Sequence, residues 1–160
     1  MLRVATIGVY GFCGESFRQR LQQVHVRLLI DVRQRRGVRG RDYAWANSRR
    51  LQAALAGAGI AYEHHRELAP STELRHMQYA EDDRREVGKR SRRELAVEYA
   101  HRYTTEILDR ANLTPIASAL PSGQTAALFC VERDPEACHR SLICQELHER
   151  HGVTIEHLRP

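Results

Sequence analysis

Lysine is almost absent from this chain of 160 residues: 24 of its 25 basic residues are arginine, and Lys89 stands alone. That excludes a lysine-rich arm or tail as the binding footprint. No apolar run approaches the ~20 residues that a membrane-spanning helix requires, so no membrane contact is expected. The first residues, MLRVATIGVYGF, lack the basic, apolar and small-residue layout of a signal peptide, and a cytoplasmic address is expected. Internal repeats and low-complexity linkers are missing. Glycines 8, 11 and 14 lack the G-x-G-x-x-G spacing, which excludes the dinucleotide fingerprint and leaves a strand-to-helix turn, plain or phosphate-approaching. Four cysteines, with Cys13 apart and Cys130, Cys138 and Cys144 close together, do not make a disulfide framework.

What is present is an ordinary globular balance of 42% apolar and 28% charged residues, in one domain spanning 1–160. The net charge of +5 favours anionic partners. A GC-rich coding sequence also produces an arginine skew, so the location of the charge says more than its sum. Arginine's planar donors fit phosphate and carboxylate in pairs.

Strand and helix patterns alternate. Strands are expected at Leu2 to Ile7, Val26 to Val32, Ile60 to Glu63, Thr125 to Val131 and Val153 to Leu158. Helices are expected at Glu15 to Val24, Ala46 to Ala58, Arg92 to Arg110 and Pro135 to His151. Pro70 to Ser91 reads as polar and irregular, and the charge run from Glu81 to Arg93 as a solvated loop and helix start. The alternation implies an α/β fold: a mainly parallel sheet of about five strands flanked by helices, in a Rossmann-like three-layer arrangement. Ligands of such sheets bind beyond the carboxyl ends of the strands. That places Gly8 to Gly14, Asp31 to Arg41, His64 to Arg66, Cys130 to Arg140 and the tail after Leu158 around one crevice.

The densest chemistry lies in FCVERDPEACHRSLI. Cys130 and Glu132 share one face of a strand exit. Asp134, Pro135 and Glu136 suit a helix start, and Cys138, His139 and Arg140 then occupy its early turns, where an anion and a thiolate are both favoured. The plainer alternative is cysteine as core filler beside ordinary capping. A zinc site is poorly spaced, because adjacent Cys138 and His139 point apart on a helix. No metal and no cofactor is therefore expected.

From Asp31 to Arg50 seven arginines (33, 35, 36, 39, 41, 49 and 50) interleave with Tyr43 and Trp45. Arginine and aromatics on a supple loop suit a nucleotide or a single strand; a solvated loop with Trp45 as a core anchor fits equally. His64 and His65 follow the third strand, within reach of the crevice.

Together, TIG near the start, DVR at the second strand exit, GIAYEHHRELAP in the middle and CVERDPEACHR late resemble the domain of unknown function 488 family over nearly the whole chain. The resemblance implies a compact α/β domain and no particular reaction. Its pattern points to Thr6, Gly8, Asp31, Arg33, Cys130, Glu132, Pro135, Cys138, His139 and Arg140. The Pro and Ser common after the arginine are replaced here by Gln34, Arg35, Arg36 and Gly37, which implies a different substrate within the family.

The resulting expectation is an enzyme, a hydrolase or glycosidic-bond-cleaving one, acting on nucleic acid or a nucleotide-like anion. Asp31, Glu132, Cys138 and His139 are its candidate catalytic residues; Thr6, Gly8, Arg33, Arg36, Tyr43 and Arg140 are its candidate anion contacts. The alternatives are a non-catalytic nucleic-acid-binding module using the loop 33–50, and a zinc or redox site through the cysteines. Nothing in the sequence sets an oligomeric state.

Overall fold

The apolar runs fold as five strands: β1 (Arg3–Ile7), β2 (Val26–Asp31), β3 (Ala61–His64), β4 (Thr125–Phe129) and β5 (Thr154–His157). The computed structural model describes residues 3–160; Leu2, the expected start of the first strand, lies outside the described residues. Every strand pair is parallel, in the order β3-β2-β4-β1-β5. β4 is buried at all five positions, as a central strand covered on both faces must be.

Helices α1 (Gly14–Gln23), α2 (Ser48–Gly57), α3 (Thr72–Arg84), α4 (Val97–Glu106), α5 (Thr114–Ala117) and α6 (Arg140–His151) flank the sheet. Phe17 and Leu21 of α1, Leu51 and Leu55 of α2, and Ile143 and Leu147 of α6 meet Leu29, Ile30 and Phe129 in the core. No helix among the described residues is long and apolar enough to cross a membrane.

Three elements differ from the sequence reading, and each difference bears on the site. The segment expected to be irregular contains α3, capped by Ser71, whose hydroxyl accepts from the Leu74 amide at 3.2 Å. Its buried stripe is Leu74, Gln78 and Asp82; two of the three are polar, so no apolar period betrays it. The helix expected from Arg92 starts only at Val97, and a 3-10 turn at Leu108–Arg110 follows it. The helix expected from Pro135 is instead a single 3-10 turn, Pro135–Ala137, then an extended residue, Cys138, and then α6.

β2 leads on to β3 at one edge, whereas β4 leads toward β5 on the other side of β1. Their exits therefore part, and a crevice opens between adjacent strands at their carboxyl ends.

Candidate functional site

A cavity of about 450 Å³ occupies that crevice. Its walls are the loop after β2, the outward turns of α3, the segment from Lys89 to Leu95, and the turn after β4.

The turn after β4 is held from behind. Gly8 lies so close to the Glu132 carbonyl that a methyl group there would overlap it. The amides of Val9 and Tyr10 both donate to the Val131 carbonyl, at 2.9 and 3.2 Å. Arg140, fully buried, donates to the Glu132 carbonyl at 2.6 Å and to the Arg133 carbonyl at 3.1 Å. With its backbone so fixed, Glu132 turns its side chain into the cavity. Arg92 donates to Glu132 Oε1 at 2.9 Å, to Asp82 at 2.6 Å and to the Ala137 carbonyl at 3.2 Å. Glu132 Oε2 is equally buried and has no hydrogen-bond partner among the described residues. Burial and the neighbouring Cys138 push the Glu132 carboxyl up from its ordinary value, against the opposing pull of Lys89 and Arg92.

Beside Glu132 lie Cys130, Cys138 and His139, all buried. Cys138 is extended (φ −140°, ψ 146°), and this one residue turns its thiol to the same side as the His139 ring. His139 Nδ1 is 3.9 Å from Cys130 Sγ and 3.7 Å from Cys138 Sγ. Its Nε2 donates to the Val32 carbonyl at 2.9 Å; a carbonyl only accepts, which settles where that hydrogen sits. Burial raises the Cys138 thiol, but the Cys130 hydrogen bond and the charges of His139 and Arg140 outweigh it and hold the thiol well below its usual range. The Cys130 thiol is pushed well up by burial and by Cys138.

The walls are basic. Arg33, Arg35, Arg39, Arg75, Lys89, Arg90 and Arg92 line the cavity, and Glu132 is the one carboxylate among its lining residues. Arg33 and Arg92 are paired with acids. The other five have no carboxylate within ion-pair distance among the described residues. Arg75 is set by Gln34 Oε1 and the Tyr79 hydroxyl, and Arg90 lies over the rings of Tyr10 and Tyr43.

The structure separates the residues singled out in the sequence into two sets. Arg33, Arg35, Arg39, Cys130, Glu132, Cys138 and His139 face the cavity. The others frame it. Both oxygens of Asp31 are occupied, by Arg33 and by the Tyr62 hydroxyl at 2.6 Å. Arg33 also donates to the Ala46 carbonyl and lies over the Phe129 ring. Thr6 bonds His157 at 2.8 Å. Tyr43 packs edge-on against Tyr10. Arg36 is exposed and outside the cavity, with Tyr62 beside it raising its pKa. Trp45 packs on Phe17, on the core side of its loop. His64 bonds the Arg33 carbonyl, and His65 bridges Glu63 and Glu67.

Sequence reasoning missed Lys89, Arg92, Asp82 and Tyr99, which it assigned to a solvated charge run or to unspecified packing. One signal was there to be used: a chain that writes arginine at every other basic position keeps a single lysine, and that lysine lines the cavity.

The family model described as the domain of unknown function DUF488 matches residues 14–147. No curated protein and no solved structure matches the chain.

Proposed function

Because the chain belongs to the DUF488 family, which is defined without a reaction, we propose its function from the geometry: an enzyme acting on a nucleotide-like, phosphate-bearing substrate held between the β2 and β4 exits. One observation carries this reading. Among the described residues, five cations with no carboxylate within ion-pair distance line a cavity whose one lining carboxylate, Glu132, has an oxygen left without a hydrogen-bond partner. Arg75 and Lys89 are half-buried, where a charge left without a counter-ion is costly, and Arg35, Arg39 and Arg90 are exposed at the rim and free to meet an anion.

The dimensions agree. About 450 Å³ lies within the roughly 300–1,000 Å³ of small-molecule sites. Arg35, Arg39 and Lys89 are available to a phosphate, and Tyr10, Tyr79 and Tyr99 add aromatic lining beside them for a base. Glu132 Oε2 is the group in a position to take a proton from an attacking water or return one to a leaving group. Asp31 is committed to Arg33 and Tyr62, so of the two carboxylates the proton transfer falls to Glu132. The thiol and imidazole cluster beside it is the second reacting element.

Calorimetric titration with adenosine and cytidine monophosphates tests the binding step, and chromatography of the incubated nucleotide tests turnover. Replacing Arg35, Arg39 and Lys89 together by alanine weakens binding at least about tenfold, the value of one charge-assisted contact. Glu132→Gln keeps binding and loses turnover. Absence of mononucleotide binding, or binding indifferent to the triple substitution, overturns the reading.

A second reading has its own observation. Arg35, Arg36, Arg39, Arg41, Arg49 and Arg50 are exposed and extend the positive surface beyond the cavity, which suits the backbone of a single strand without any chemistry. It requires oligonucleotide binding that falls steeply with salt and no turnover of any nucleotide.

A further inference from the structure

The cluster of Cys130, Cys138 and His139 is built like three sides of a tetrahedron. All three ligand-type atoms lie within 4.8 Å of one another, and His139 Nδ1 is 3.7 and 3.9 Å from the two sulfurs. A tetrahedral zinc ion with Zn–S of about 2.3 Å and Zn–N of about 2.0 Å sets its S···N edges at roughly 3.5 Å. A contraction of a few tenths of an ångström closes the site. The backbone supplies the convergence: extended Cys138 interrupts what would otherwise be continuous helix, so two adjacent residues point to one centre.

The imidazole is also prepared as a ligand. The Val32 carbonyl holds the hydrogen on Nε2, which turns the other nitrogen to the sulfurs; a ligating histidine is commonly oriented by just such a carbonyl. Two thiols and an imidazole are the donors that a thiophilic divalent ion prefers. The second observation is Glu132. It is 93% buried, lines the same cavity, and its Oε2 has no partner among the described residues.

We propose that Cys130, Cys138 and His139 bind a zinc ion whose fourth position opens to the cavity beside Glu132. Three protein ligands and one open position are the arrangement of a catalytic rather than a structural zinc site. With both sulfurs as thiolates and His139 as a neutral imidazole, the ion and its ligands are together neutral and leave the basic walls free for the substrate. A water in the fourth position would bond through its oxygen to the electrophilic atom of the substrate as that atom's bond to the leaving group breaks, and pass one proton to Glu132, which returns it to the departing group; this is a hydrolysis that needs no further reactant. The inference deepens the enzymatic reading and rests on it for the role of Glu132, while metal binding itself is measured without any substrate.

The experiment is a titration of the metal-free, reduced protein with cobalt(II). The expected result is one equivalent bound, with a sulfur-to-cobalt charge-transfer band and the intense visible bands of a four-coordinate ion, both removed by adding zinc. Cys130→Ser and Cys138→Ser each weaken zinc more than about 100-fold, since even residues behind a ligand cost 10–100-fold. Cys144→Ser, outside the cluster, leaves the spectrum unchanged, and Glu132→Gln retains the ion. Adenosine monophosphate shifts the visible bands if the fourth position is open. Wild-type protein without the charge-transfer band overturns the proposal whether or not any variant folds. So does a band that survives in both serine variants. A bound ion indifferent to the nucleotide overturns the open position. Nucleotide turnover by the metal-free protein overturns the catalytic role of the ion and leaves the enzymatic reading standing.

Discussion

Asp31 and Arg33 sit two residues apart at the exit of β2 and hold each other through three side-chain contacts of 2.9 to 3.2 Å, with side chains no more than 1% exposed. Arg33 lines the cavity, yet its charge is already spent on Asp31. Breaking such a pair from one side leaves a buried ion uncompensated, at a cost of about 3–5 kcal/mol. Asp31→Asn is therefore expected to lower stability by that amount in urea denaturation. The double replacement Asp31→Leu with Arg33→Met recovers most of it. Equal losses in the single and double variants would show that the pair is not what stabilises the strand exit.

Gly8 is fixed by contact. A methyl group there meets the Glu132 carbonyl and reaches toward the Arg140 guanidinium. Gly8→Ala is expected to cost at least ~1–3 kcal/mol, as overpacking of a closed core does. Because the displaced group is the backbone of Glu132, nucleotide binding should fall with stability. Thermal unfolding and calorimetry on the same preparation check both.

Arg92 and Lys89 come from one charge run but are expected to separate cleanly. Arg92→Met leaves Asp82 and Glu132 buried without their cation, and about 3–5 kcal/mol of stability goes with it. Lys89→Met removes a half-buried cation that has no carboxylate within ion-pair distance among the described residues, so stability should hold or rise while affinity for adenosine monophosphate falls. Denaturation midpoints and titration heats distinguish the two.

His65 gives a pH signature. Burial lowers its pKa, but the hydrogen bonds from its ring to Glu63 and Glu67, at 2.8 and 2.7 Å, outweigh that and raise it above 6.5. A raised folded-state pKa means that the stabilisation is complete below about pH 6.5, the unfolded value, and is lost as the pH climbs through the folded one. Both glutamates face solvent, so the effect stays under about 1 kcal/mol. His65→Gln should be less stable than the wild type at pH 6 and equal to it at alkaline pH. A difference that grows with pH would reverse the assignment.

The sheet was readable in the sequence because LLI within VRLLIDV and all of TAALFCV but Thr125 are apolar without alternation, as strands covered on both faces are. The cavity lies where the rule that ligands gather at the carboxyl ends of such strands places a candidate site. α3 was not readable, because Gln78 and Asp82 fill its buried stripe and satisfy each other, with Asp82 held by Arg92. Hydrophobic periodicity cannot tell that arrangement from a solvated face. The same blindness hid Arg92 and Lys89 in a run of charge. The Cys138 conformation was hidden for another reason: Asp-Pro-Glu announces a helix, and the break three residues later is made by tertiary contacts, with no glycine or proline to mark it.

The solitary lysine has a practical consequence. An amine-selective acylating reagent finds one lysine side chain in this protein, and that side chain lines the cavity. A fluorophore or mass tag placed there reports on occupancy of the crevice, and protection of that side chain from labelling becomes a screen for ligands that works whatever the reaction is. By the same chemistry, a single acylation in the cell would strip one positive charge from beside Glu132, making the modification state of one residue a direct measure of how basic the cavity is.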